Sequence, residues 1–314
     1  MGLDYASWGE QAMSDPKCVG RLGRLACLAI FGAILGFSAV KSGQAQEKPL
    51  TLKVITSSPG SLNTHFTIIM GGKDAVLVDA PFLRSDAYRL VADILDTGKT
   101  LQKIVVTHGH PDHYFGLDVL KEAFPDVDII AAPAVVADIW KSYPNRLAFW
   151  GPQIGVNAPH HPQMPRGFDK PSFELEGREI DLLGPMKGDA DNSTVVYVPS
   201  LKAVITGDVV FNQVYPGIGA GTHAERLAWI ASLDKLSDLK PEIVVAGHTK
   251  PGLPNTIAAL NFTRDFLKDF DAAAAKAKTA DEVVAQMKKD FPEADGGGFF
   301  ANIAKSAVQE KQGK

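Results

Sequence analysis

Hydrophobic and polar positions alternate with a period of two in short runs near the start of the globular part of the chain. Residues 50–55, 65–70 and 75–80 read as strands, the last two joined by a hairpin turn over 71–74. A helix is expected from a capping Ser85 to Leu95, with Gly98 just past its end. The β-branched run 101–107 predicts a buried strand, and 116–124 an amphipathic helix after it. Strands are expected again over 128–132, 194–198, 203–206 and 242–246, and two short ones across 173–183 turn at Glu176 and Gly177. Helical periodicity marks 134–140 and 224–236. Residues 144–171, rich in Pro and Gly, read as a loop-rich insertion. From Asn255 onward the pattern is helical, with breaks at 278–279 and 292–298. Two groups of strands, each mixed with helices, predict a single α/β (α+β) domain of two sheets with helices outside.

The first 45 residues follow a different pattern. Residues 1–24 are polar and carry Lys17, Arg21 and Arg24; 25–40 are almost wholly apolar, and small residues lead to Ala45. This is the layout of a secretory signal cleaved after Ala45. The apolar run falls short of the roughly 20 residues of a membrane span. Export to a bacterial periplasm is therefore expected, with an uncleaved inner-membrane anchor, and so a membrane tether, as the alternative. Both cysteines, Cys18 and Cys27, lie in this segment. A body without Cys has no disulfide framework, thiolate metal site or cysteine nucleophile.

Hydrophobic residues make up 45% of the 314 and charged residues 22%, which excludes a disordered chain. The formal net charge of −4 gives no basic footprint, so nucleic acid is not an expected partner and a small-molecule substrate is. Nothing in the sequence sets an oligomeric state.

Chemistry concentrates after the strand at 101–107. His108, His110, Asp112 and His113 fall within six positions on a strand-to-helix turn. Alternate residues of an extended segment point the same way, so His108 and His110 can share one metal. Asp112 and His113, where the chain turns, can face a second. Imidazole and carboxylate suit zinc, iron or manganese. Three later stretches place polar residues beside buried strands: Asp189 to Asp191 before the strand at 194, Asp208 after Gly207, and His248 after Gly247. A two-metal site needs more ligands than the first motif supplies, and these are the candidates.

Over about residues 50–253 the chain resembles the metallo-β-lactamase-fold hydrolases. That superfamily carries His-x-His-x-Asp-His after a strand, then a further His, then Gly-Asp and Gly-His. His108, His110, Asp112 and His113 match the first element, Gly207 and Asp208 the Gly-Asp, and Gly247 and His248 the last. Asp79 matches an Asp that usually supports the turn. The resemblance implies an αββα four-layer sandwich of two mixed β-sheets flanked by helices, with the metals at one edge. It also implies a domain over 46–253 and a C-terminal helical extension, 254–314, packed on it. One element departs from the pattern: Asp189 stands where the third His belongs, with Asp191 as the alternative ligand.

The implied cofactors are two divalent metal ions, zinc first and manganese or iron next. They would be held by His108, His110, Asp112, His113, Asp189, Asp208 and His248. A carboxylate in place of an imidazole makes the core less positive, which should raise the pKa of its water and favour manganese or iron over zinc. The implied activity is hydrolysis of an ester, lactone, lactam or thiolester-type bond by metal-activated hydroxide, with Asp112 as proton carrier to the leaving group. Rival readings are a mononuclear iron oxygenase using His108, Asp189 and Asp208, and a non-catalytic metal-binding protein. Substrate contacts are sought in 143–171, with Phe149, Trp150, His160 and His161, and in 211–223, with Tyr215 and His223; His65, inside a strand, reads as structural.

Overall fold

The period-two alternation decides the layering. In a computed structural model, which describes residues 49–216, 219–296 and 299–313, neighbouring positions of the central strands enter different cores. The segment expected to be a signal or anchor, with Cys18 and Cys27, lies outside the described residues. The first sheet holds β1 (Thr51–Thr56), β2 (His65–Met70), β3 (Asp74–Val78), β4 (Thr100–Val105), β5 (Asp128–Ala131) and β6 (Arg166–Gly167), in that order. Its first three strands pair antiparallel and the rest parallel. Parallel neighbours need crossovers, supplied by α1 (Arg84–Asp96), α2 (Leu117–Ala123) and α3 (Pro133–Ile154).

Next along the chain come β7 (Ser172–Leu175), β8 (Arg178–Met186), β9 (Ser193–Val198), β10 (Ala203–Ile205), β11 (Phe211–Asn212), α4 (His223–Asp238), β12 (Ile243–Val245) and β13 (His248–Thr249). The second sheet runs β12-β10-β9-β8-β7, while β11 and β13 form a small parallel ribbon. The helices α5 (Ile257–Lys276), α6 (Ala280–Asp290) and α7 (Phe300–Lys311) end the chain.

Ile69, Val76, Val78, Val105 and Ile130 of the first sheet meet Ile180, Val196, Val198, Ile205 and Val245 of the second in a central core. The alternate residues Ile68, Leu77 and Ile104 face outward onto Leu90, Leu117 and Ile139 of the first three helices. Val195, Val204 and Val244 face the other way onto α4 and the C-terminal helices, around Trp229, Phe266, Phe270 and Phe300. The fold is therefore an αββα sandwich of two mixed sheets.

Local chemistry explains several boundaries. Thr222 and Glu225 form a reciprocal capping box at the start of α4. Thr279 caps α6 through the Glu282 amide, so α5 and α6 separate near the expected break. Two expectations fail. Ser85 does not cap α1, which starts at Arg84 with Leu83 at the N-cap position and no side-chain cap, so Ser85 lies within its first turn. The stretch read as a loop-rich insertion begins inside α3, which continues through Pro144 and Pro152 to Ile154. Each proline removes a helical hydrogen bond. The face bearing Val135, Ile139 and Tyr143 is buried, and Leu147, Trp150 and Ile154 extend the packing. Burial of that face outweighs the lost bonds. Among the described residues, no helix is long and apolar enough to cross a membrane.

Candidate metal centre

The ligand residues sit at chain reversals along one edge of the sandwich. Beyond β4 the chain enters a 3₁₀ turn, Pro111–His113, which bunches the histidines. Asp208 lies in a second such turn after β10, and His248 opens β13. Two glycines permit the close approach. A Cβ on Gly247 would collide with the Asp208 carboxylate, and one on Gly207, whose φ is +49°, would collide with Thr107.

Seven side chains converge in two groups that share Asp208. His108, His110, Asp189 and Asp208 form one; Asp112, His113, Asp208 and His248 form the other. All are buried, and within each group the candidate ligand atoms lie within 4.8 Å of one another. His110 Nδ1 lies 2.9 Å from Asp189 Oδ2, and His108 Nε2 3.7 Å from carboxylate oxygens of Asp189 and Asp208. On the other side, His113 Nε2 is 3.2 Å from Asp208 Oδ1, and His248 Nε2 is 3.2 Å from both Asp112 Oδ2 and Asp208 Oδ2.

A hydrogen-bond chain behind the centre orients the rings. His108 Nδ1 donates to Thr107 Oγ1 at 3.0 Å, and Thr107 Oγ1 donates to Asp79 Oδ2 at 2.7 Å. The same Asp79 oxygen accepts from His113 Nδ1 at 2.8 Å, while Asp79 Oδ1 accepts from the Thr107 amide. His248 Nδ1 donates to the Leu62 carbonyl at 3.0 Å. Each of these three rings spends its Nδ1 proton outside the centre and turns an Nε2 lone pair into it, which is how metal-binding histidines are held.

Without a cation the inner atoms are poorly served. His113 Nε2, Asp189 Oδ1 and Asp208 Oδ1 are buried with no hydrogen-bond partner among the described residues. His108 Nε2 and His110 Nδ1 face one another at 3.0 Å. Burial opposes charge on His113 and His248, yet Asp208 and its carboxylate neighbours raise both well above the ordinary imidazole value. Burial and the facing His113 and His110 push His108 the other way. Burial, with Asp208 adding, lifts the Asp189 carboxyl to about 6 against the pull of His110. Buried like charges facing one another are costly. A divalent cation in each group would remove that cost, and the nitrogen and oxygen donors suit zinc, manganese or iron.

The structure brings all seven predicted ligands together and separates the two aspartates the sequence left open. Asp189 reaches the centre; the Asp191 side chain is exposed and bonds Lys187 Nζ at 2.9 Å. Neither candidate substrate contact beyond β11 joins the centre. Tyr215 is buried, donating to the Phe291 carbonyl at 2.7 Å and stacking on Phe300. His223 opens α4 on the surface, paired with Asp271 at 2.8 Å. The C-terminal helices take up both side chains. His65 is buried within β2, where burial, with His248 beside it, pushes its imidazole down to about 4. The Leu62 carbonyl is part of the site without any signal in its residue type. Asn192 is the other addition: its Nδ2 donates to Asp138 Oδ2 at 2.9 Å and ties the Asp189 loop to α3.

Comparison with known proteins bears on this geometry. The model of the metallo-β-lactamase superfamily matches residues 60–248, more than half of the chain, and spans all seven candidate ligands. A metallo-β-lactamase type 2 from Pseudomonas aeruginosa is 23% identical over 195 residues, 62% of this chain and 70% of that protein. An atrochrysone carboxyl ACP thioesterase from Passalora fulva is 23% identical over 209 residues, 65% of this chain; the match spans only 54% of that relative's length. Among solved structures, a metallo-β-lactamase family protein from Thermus thermophilus aligns with a TM-score of 0.60 at 20% identity, covering 83% of this chain and 94% of its own. The metallo-β-lactamase DIM-1 aligns at 0.52 with 21% identity, covering 71% and 99%. The structural likenesses show the shared fold.

Proposed function

Because the chain belongs to the metallo-β-lactamase superfamily, we propose that it is a hydrolase with a binuclear metal centre, cleaving an ester, lactone, lactam or thioester bond. The observation that carries this reading is the sharing of Asp208 between two buried ligand groups. A single structural metal would need only one. Two of the relatives bear the names of a thioesterase and a β-lactamase. Thioesters and β-lactams are both acyl compounds, which supports a carbonyl substrate.

His108, His110 and Asp189 would hold one ion, Asp112, His113 and His248 the other, and Asp208 both. When bound, such ions polarise a carbonyl and lower the pKa of an attacking water. The chain's own residues do the rest. Asp79 and Thr107 keep the His108 and His113 lone pairs aimed inward. The Leu62 carbonyl does the same for His248. Asp112 Oδ2 sits between His113 and His248, at 3.6 Å and 3.2 Å. Those two rings keep its carboxyl well below the ordinary value against the opposing effect of burial. An ionised carboxylate there could take up the proton of the attacking water and return it to the leaving group.

The test is metal analysis of the purified protein together with turnover on a panel of thioesters, lactones, esters and β-lactams. His113→Ala and Asp208→Ala should lose metal and turnover together; an active variant without metal refutes the reading. Oxygen consumption in place of hydrolysis would favour the iron oxygenase. Export, with residues 1–45 removed, is part of the proposal, and N-terminal sequencing of the mature protein checks it.

A further inference from the structure

Next to the candidate metal turn, three buried donor atoms, the Tyr114 and Tyr143 hydroxyls and Arg146 Nε, have no acceptor among the described residues. Tyr114 follows the ligand His113, and its ring centroid lies 6.1 Å from that of Tyr143 on α3. Both rings are buried, and neither hydroxyl has a hydrogen-bond partner among the described residues. Arg146 lies one turn beyond Tyr143 on α3, at the spacing that puts side chains on one helix face. Its Nε is buried and without an acceptor among the described residues. The two buried arginines among the described residues are paired: Arg84 with Asp118, and Arg226 with Asp271. Asp118, the acid acting on Tyr143, is occupied by Arg84 and by the His160 amide. Arg146 as a whole is only partly buried. Trp150, one turn further along α3, meets Phe299 edge to face.

We propose that Arg146, Tyr143 and Tyr114 form a subsite for a carboxylate carried by the substrate, placing the scissile bond against the adjacent metal turn. A guanidinium and two phenol hydroxyls offer donors only toward such a group, and buried donors left unmade are costly. The planar fork of arginine matches a carboxylate in shape. One positive charge balances a carboxylate, whereas a phosphate dianion would leave an excess negative charge beside Asp112. The substrate role rests on the hydrolase reading above; carboxylate binding itself does not.

The experiment is calorimetric titration of the metal-loaded full-length protein with phenylacetate and with its neutral counterpart phenylacetamide. Phenylacetate should bind the wild type at least tenfold tighter. Arg146→Gln should weaken phenylacetate about ten- to hundred-fold and leave phenylacetamide unchanged. Arg146→Lys should recover part of the preference, and Tyr143→Phe should reduce it several-fold with circular dichroism unaltered. Equal affinity of wild type and Arg146→Gln for phenylacetate would mean that the carboxylate sits on the metals, and would overturn the proposal. So would the absence of any preference in the wild type. Selective, Arg146-dependent binding in a protein that hydrolyses nothing on the panel would uphold the subsite and remove the hydrolase reading.

Discussion

Asp79 Oδ2 accepts a hydrogen bond from His113 Nδ1 at 2.8 Å, from a backbone position in the left-handed region at φ 64°. Asp and Asn tolerate that conformation better than other side chains with a Cβ. Asp79→Asn should therefore keep the backbone and the volume while removing the charge behind two imidazoles. Losing such a support typically costs ten- to hundred-fold in metal affinity. Titration against a competing chelator should show that loss with little change in circular dichroism. Unchanged affinity would mean that His113 is held by packing alone.

Gly247 packs directly against Asp208, the residue common to both candidate ligand groups. A Cβ there would overlap the Asp208 carboxylate. Its amide also donates to the Gly207 and Val210 carbonyls, at 2.9 Å and 3.0 Å, so the backbone has little room to retreat. Gly247→Ala should cost about 1–3 kcal/mol of stability, as overpacking does. It should also displace Asp208 and lower metal content at both groups together. Retention of full metal content would show that the carboxylate has another place to go.

Replacing Asp189 by His removes one negative charge from the first group and restores the imidazole usual in the superfamily. Borderline-soft nitrogen ligands favour zinc, and carboxylates favour manganese and other hard ions. Metal analysis after growth in a mixed-metal medium should therefore shift toward zinc in Asp189→His. If the wild type already binds zinc as strongly as the variant, charge at this position does not set metal choice.

How far the sequence revealed all this depends on the kind of signal. The strands were legible because each must feed two cores: Val76 and Val78 face one way and Leu77 the other, and β-branched alternation records that demand. The clustered imidazoles and carboxylates were legible as candidate ligands because such residue types at short spacing have few other uses on a buried turn. Helix α3 was obscured by Pro144 and Pro152, whose local cost is visible in sequence while the tertiary burial that offsets it is not. Tyr215 and His223 lie near Asp208 along the chain but are drawn off by α5, α7 and the Phe291 carbonyl, contacts set by long-range packing. The Leu62 carbonyl could not be read at all, because every residue has one.

The two sheets are also joined through one carboxylate that belongs to neither candidate ligand group. Glu176, at the tip of the β7–β8 hairpin, accepts from the amides of Gly72, Lys73 and Asp74 at 2.7, 2.6 and 2.8 Å. Those residues form the β2–β3 turn of the opposite sheet. The three amides lower the Glu176 carboxyl from 4.5 to about 2. A carboxyl held below its unfolded value stabilises the fold above that value, and the contribution disappears as pH falls through the folded one. The latch should therefore be complete near neutral pH, weaken from about pH 4.5 downward and be gone near pH 2. Glu176→Gln keeps the turn residue's length but loses the charge. Its melting temperature should fall below the wild type's at about pH 7, and the gap should close progressively between about pH 4.5 and 2. Thermal unfolding of the pair across that range checks it. A gap independent of pH would assign the effect to turn geometry at Glu176, whose φ is 51°, and not to its charge.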